Sequence, residues 1–187
     1  MTETATAIVT SKNLDDAYGE VRPAARVDPA ELSNLPGTRQ RLDENSGPVL
    51  RRYMQSAIDG VLLSVVLHRT IPILWAIDEE GSFWFALEEV IDTATAGYLF
   101  PFARDLLLKT TQAKLGHPAV VGATKARLGG EIYFDDGLDP PAWVLNNKSG
   151  RFGYGEGRRK EHLNSAHSDL AVHGIDVVVD LIVSGKS

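Results

Sequence analysis

Ile71-Pro-Ile-Leu-Trp-Ala-Ile77, Asp78-Glu-Glu-Gly81 and Ser82-Phe-Trp-Phe-Ala-Leu87 follow one another without a break, and this stretch decides the fold class. Two apolar runs of strand length, rich in β-branched and aromatic residues, flank a polar turn that ends in glycine, which is the pattern of a β-hairpin. Pro72 stands near the start of the first run, where its missing N–H costs no mid-strand ladder bond. A hairpin makes the sheet antiparallel here, and the flanking segments mix helical and strand periodicity. The expected fold is therefore α+β, a mainly antiparallel sheet packed with three to four helices in a single domain.

Upstream of the hairpin, Val49, Leu50, Tyr53, Met54, Ala57 and Ile58 recur at helical spacing, and Asp59-Gly60 ends that helix. Val61-Leu-Leu-Ser-Val-Val-Leu67 is short, β-branched and apolar on both faces, the pattern of a buried strand. Residues 1–45 hold few large apolar side chains and are expected to form an extended or loosely docked arm, with the domain proper at 46–187. The arm carries one short helix from Pro29 to Leu35, capped by Asp28 with Pro29 at its first position.

Downstream, helices are expected over residues 88–96 and from Phe102 to Leu115, the second ending at Gly116, with a loop over His117–Gly122. Lys125 to Phe134 reads as a strand whose Gly129-Gly130 pair marks a bulge. Asp135-Asp-Gly-Leu-Asp-Pro-Pro141 is an acidic turn, and Ala142 to Leu145 returns antiparallel. Leu163, Ala166 and Leu170 share one face of a helix over 158–173 that Gly174 terminates, and Ile175 to Val183 is a closing strand.

The chain of 187 residues has 43% hydrophobic and 24% charged residues, which fits one globular domain with a real core. A net charge of −6 argues against a surface that binds nucleic acid over its whole extent. The chain holds no cysteine, which removes disulfides, thiolate nucleophiles and Cys-ligated zinc. The start lacks the basic and apolar parts of a signal peptide, and no apolar run has the length of a membrane span. These features fit a cytoplasmic protein, or one exported without a signal peptide, and no membrane partner.

Chemistry concentrates in Asn146-Asn-Lys-Ser-Gly-Arg-Phe-Gly-Tyr-Gly-Glu-Gly-Arg-Arg-Lys-Glu-His162, a glycine-rich, basic and aromatic loop with a local charge of +3, against −9 for the rest. Glycines let backbone N–H groups converge on an anion. The loop therefore suits a phosphate-bearing ligand such as RNA or a nucleotide, with Asn147, Lys148, Ser149, Phe152, Tyr154, Arg158 and Arg159 as binding residues. Glu131, Arg151 and His162 form the candidate catalytic set. A carboxylate base, a fixed cation and an imidazole acid are the groups that cleave RNA without a metal. The bland reading makes Glu131 a solvated strand residue, pairs Arg151 with nearby acids and leaves His162 at a helix start.

Gly116-His117-Pro118, Gly129-Gly-Glu131-Ile, Trp143-Val-Leu-Asn-Asn-Lys-Ser-Gly-Arg151-Phe and His162-Leu163 occur in an order that resembles the C-terminal toxin or effector domains of bacterial polymorphic-toxin systems. The resemblance spans roughly residues 116–183 and implies an enzymatic domain acting on RNA, a nucleotide or a protein. Many such domains carry His-Tyr after Ser-Gly where this chain has Arg151-Phe152, a departure at a position where proton transfer would be expected.

Two alternatives stand beside RNA cleavage. ADP-ribosyl transfer from NAD would cast His68 or Arg69, Tyr154 and Glu131 as ribose holder, stacking ring and polarising carboxylate, although such enzymes place their glutamate later in the chain. A non-catalytic module would use the same loop to bind an anion or an acidic partner. No metal or other cofactor is expected. His162 and His173 lie eleven residues apart with His167 on another helix face, and Asp135, Asp136 and Asp139 lack the calcium-loop spacing of an EF-hand. The familiar nucleotide-loop and serine-hydrolase motifs do not occur.

Overall fold

The computed structural model describes residues 11–103, 106–122, 124–153 and 157–183. In chain order the elements are α1 (Ser11–Tyr18), β1 (Arg22–Pro23), α2 (Pro29–Ser33), β2 (Gln40–Arg41), α3 (Ser46–Ile58), α4 (Leu62–Thr70), β3 (Ile73–Ile77), β4 (Phe83–Leu87) and β5 (Glu89–Asp92). Then follow β6 (Tyr98–Pro101), β7 (Gln112–Leu115), α5 (His117–Val121), β8 (Lys125–Ala126), β9 (Leu128–Asp135), β10 (Ala142–Asn146), α6 (Lys160–Val172) and β11 (Val178–Asp180). The fold is α+β, and its sheets are antiparallel except where β10 pairs with β11.

The hairpin of β3 and β4 is the middle of a six-stranded sheet with the order β11-β10-β9-β3-β4-β2. The β3 strand is buried along its whole length, and its two faces serve different layers. Ile73, Trp75 and Ile77 join Leu50 and Met54 of α3 and Leu163, Ala166 and Leu170 of α6 in the main core. Leu74 and Ala76 point the other way, toward Val120 and Val121 of α5. A second sheet, β6-β5-β7, and the short β1-β8 pair complete the framework.

The sheet closes tightly because two glycines admit the backbone that follows β10. A Cβ on Gly130 would run into the carbonyl of Asn146, and one on Gly153 into that of Asn147. The Asn146 carbonyl accepts a hydrogen bond from the buried Trp75 indole at 3.1 Å. No bulge forms at Gly129-Gly130, whose register with β3 is continuous. The glycine pair serves close approach instead.

Several expected elements differ from those observed. Six helices occur among the described residues, against the three to four expected. Val61–Leu67 is not a strand: α4 turns only Ser64, Val65 and His68 inward, a helical spacing, and leaves Leu62 and Leu63 at 80% and 71% exposure. Both neighbours of β3 are already taken by β4 and β9, so the run has no place in the centre of the sheet. Residues 89–92 and 112–115 pair as strands, where helices were expected, because tertiary pairing outweighs local propensity in such short runs.

From residue 11, the N-terminal arm is fastened at several points. The Tyr18 hydroxyl donates to Asp169, Arg127 pairs with Asp15, and the buried Glu89 accepts from Gly37 N, Thr38 N and Thr38 Oγ1. Asp28 and Glu31 form the capping box of α2, with Pro29 in its first turn.

Gly130→Ala is expected to cost about 3 kcal/mol or more in urea denaturation, because the new methyl meets backbone rather than a yielding side chain. Gly150→Ala, with nothing within 4 Å of its Cβ position, should stay within about 0.5 kcal/mol of the parent.

Candidate functional site

On the α5 face of the main sheet, Glu131 of β9 stands directly across from Leu74 of β3, which stands across from Ala86 of β4. These strands form the floor of a cleft of about 490 Å³. Its walls bring Glu88 from the link between β4 and β5, Lys114 from β7 of the smaller sheet, His117 from α5, Lys148, Gly150 and Arg151 from the loop after β10, and Arg26 from the arm. Four cations and two carboxylates thus meet around one imidazole. A wider groove of about 770 Å³ beside Tyr98 and Leu35 contains Glu89, but both oxygens of that carboxylate are already taken by Gly37 and Thr38.

Glu131 and Lys148 are positioned by one side chain. The amide oxygen of Asn146, itself buried, accepts from Glu131 N at 3.1 Å and Lys148 N at 2.9 Å. The Lys148 ammonium stands 3.7 Å from the Glu131 carboxylate. Lys114 Nζ lies 3.0 Å from Glu88, whose pKa burial raises even though Lys114 opposes the shift. Arg151 reaches Asp28 at 2.8 Å and Glu31 at 3.4 Å and donates to the Arg26 carbonyl at 2.7 Å.

His117 is the imidazole that the cleft contains. Its Nε2 lies 2.9 Å from the carbonyl of Gly130. In the neutral ring this contact fixes the proton on Nε2 and makes Nδ1 the acceptor. Burial drives its pKa down to about 4, with Lys114 and Arg151 pushing the same way and the Gly130 carbonyl resisting. The ring is therefore uncharged at pH 7.

The candidate residues named from the sequence do not all arrive here. Glu131, Arg151 and Lys148 line the cleft. His162 does not: it is 2% exposed at the start of α6, beside Gly19 and Arg159, so the expected catalytic trio is not brought together. Asn147 bonds the carbonyls of Gly153 and Ile182 and the N–H of Ile182. Ser149 accepts from Arg151 N and Phe152 N, and Phe152 packs on Ala76, Val121 and Ala126. These three residues shape the loop from inside. Arg158 and Arg159 lie near His162, away from the cleft lining, and Tyr154 lies outside the described residues.

Nor do the residues of the NAD reading meet. His68 packs against Tyr53 and Trp143 on the core face, opposite Glu131, and Arg69 pairs with Asp136. Among the described residues there is no group of three or more His, Asp or Glu side chains able to hold a metal ion, and no helix is long and apolar enough to cross a membrane.

Sequence reading passed over Glu88, Lys114 and His117 as site residues. Only His117 had a signal, the Gly116-His117-Pro118 element. Glu88 and Lys114 sat in segments expected to be helical, which hid their alignment. No protein-family model, curated protein or solved structure matches the chain.

His117 leaves a mark on stability. Its folded pKa lies below the usual value near 6.5, so the folded state binds fewer protons than the unfolded state between about pH 6.5 and 4. The stabilisation from a neutral imidazole is complete above that window and lost as pH falls through it, on the order of 3 kcal/mol. Urea denaturation at pH 7, 5.5 and 4 should show this fall in the parent and a shallower one in His117→Gln.

Proposed function

We propose that the cleft binds a phosphate-bearing substrate, most simply single-stranded RNA, and cleaves it without a metal. The convergence of Glu131, His117 and the cations Lys148, Lys114 and Arg151 on one cleft supports this reading. Glu131 removes the proton from a ribose 2′-hydroxyl, and the freed oxygen bonds to the adjacent phosphorus. The bond from phosphorus to the 5′-oxygen breaks, and His117, protonated at Nδ1, returns a proton to that oxygen. Lys148 and Lys114 balance the added charge on the phosphoryl oxygens. His117 takes the acid role that the sequence had suggested for His162. Such a protein would act as a toxin-like or effector-like ribonuclease.

The imidazole's low pKa constrains this mechanism. In the free enzyme kcat/KM requires protonated His117, so it should fall about tenfold per pH unit above pH 5.

A non-catalytic anion-binding or partner-binding module is the second reading. It is favoured by the pairing of every cation lining the cleft: Lys114 with Glu88, Lys148 with Glu131, Arg151 with Asp28 and Glu31, and Arg26 with Asp28. Such a cleft has its charges balanced before any ligand enters.

Incubation of the protein with a short fluorescent RNA in EDTA separates the two. For the enzyme, the parent yields a 2′,3′-cyclic phosphate, and Glu131→Gln lowers turnover by roughly 10²- to 10⁴-fold with RNA affinity changed only a few-fold. Binding without any cleavage by the parent across pH 4 to 8 would leave the module reading in its place.

A further inference from the structure

A second cationic cluster lies outside the cleft, where β1 meets the approach to α6. Arg158 donates from Nη1 to the carbonyl of Glu20 at 3.3 Å. Its other two donors, Nε and Nη2, are both shut away from solvent and have no hydrogen-bond partner among the described residues. These two nitrogens are the side-on edge of the guanidinium, whose parallel N–H groups match two oxygens of a phosphate or carboxylate.

The surroundings add positive charge. Burial lowers the Arg158 pKa to about 10, with Arg22 and Arg127 pushing the same way and Glu20 the other. Arg127 already has Asp15 as a partner. Next along the chain, Arg159 reaches the ring of His162 at 3.3 Å. That ring is held below its usual pKa by burial, then by Arg159, Arg158 and Arg22. Beside Arg22, Gly157 has φ +81°, a conformation that favours glycine, and a Cβ there would stand 3.4 Å from Arg22 Nη2.

Unpaired buried guanidinium donors among like charges are costly, and an oxyanion satisfies the donors and the repulsion together. We infer that Arg22, Arg158 and Arg159 form an oxyanion-binding site for a phosphate or carboxylate group, separate from the cleft. None of the three lines the cleft. The inference does not rest on the catalytic reading of Glu131 and His117, and it holds whether or not the protein cleaves RNA.

Inorganic phosphate, with acetate as the carboxylate arm and chloride at matched ionic strength as reference, provides the test by thermal unfolding of the full chain. Phosphate or acetate well above its Kd should raise Tm by about 3 °C over chloride. The shift should persist in the cleft variant Lys148→Gln, vanish when Arg158→Gln is added to it and shrink when Arg22→Gln is added instead. If the variant with Arg158→Gln does not fold, the one with Arg22→Gln carries the test alone, and an undiminished shift there overturns the inference. So does a parent that melts alike in all three salts, or a shift lost in Lys148→Gln.

Discussion

The carboxylate of Glu31 holds the molecule's separate parts to one another. Its side chain is fully buried, and a carboxylate cannot remain ionised there without donors and a counter-charge. It finds them in three segments distant in sequence: the N–H of Asp28 at the start of α2, the N–H of Gly116 just before α5, and the Arg151 guanidinium of the loop after β10. The arm, the smaller sheet's exit and the glycine-rich loop are thereby held at fixed separation. The walls of the cleft are those same segments.

This arrangement gives Arg151 two functions that pull in different directions. Its guanidinium is largely buried, at 12% exposure, and is engaged by Asp28 and Glu31, so much of its charge serves to fasten the arm. What it still offers the cleft is a field rather than a free fork, visible in its depression of the His117 pKa. Lys148, half-exposed and at the longer distance of 3.7 Å from its partner, is the cleft's more available cation. A pair of that length with its lysine half-exposed is weakly held.

Sequence patterns revealed the parts of the fold that local chemistry determines. The β3-β4 hairpin has turn residues and strand formers that agree; α2 has its cap; α3 and α6 have apolar stripes of helical period; β9 and β10 are separated by an acidic, proline-rich turn. The misread parts lack such agreement. The run Val61–Leu67, which makes up most of α4, is apolar at every position but Ser64 and so shows no period, while β5 and β7 are four-residue strands specified by pairing with each other rather than by composition. The site followed the same division. Glu131, Lys148 and Arg151 fall on or beside legible strands. Lys114 is carried by the misread sheet and Glu88 by the link that enters it, and His117 becomes significant only when the Gly130 carbonyl and two cations are seen around its ring.

Asn146 joins regions usually altered independently. Its main-chain oxygen receives the Trp75 indole from the middle of the core, while its side-chain oxygen receives the N–H groups of Glu131 and Lys148. Interior packing and the aim of two cleft residues therefore share one amino acid. Substitutions that loosen the interior near Trp75 will displace Glu131 and Lys148 as well as lower durability, so this corner of the protein has little freedom to diversify. Lys114, carried on the smaller sheet, and Glu88, in the link before it, stand outside that tie.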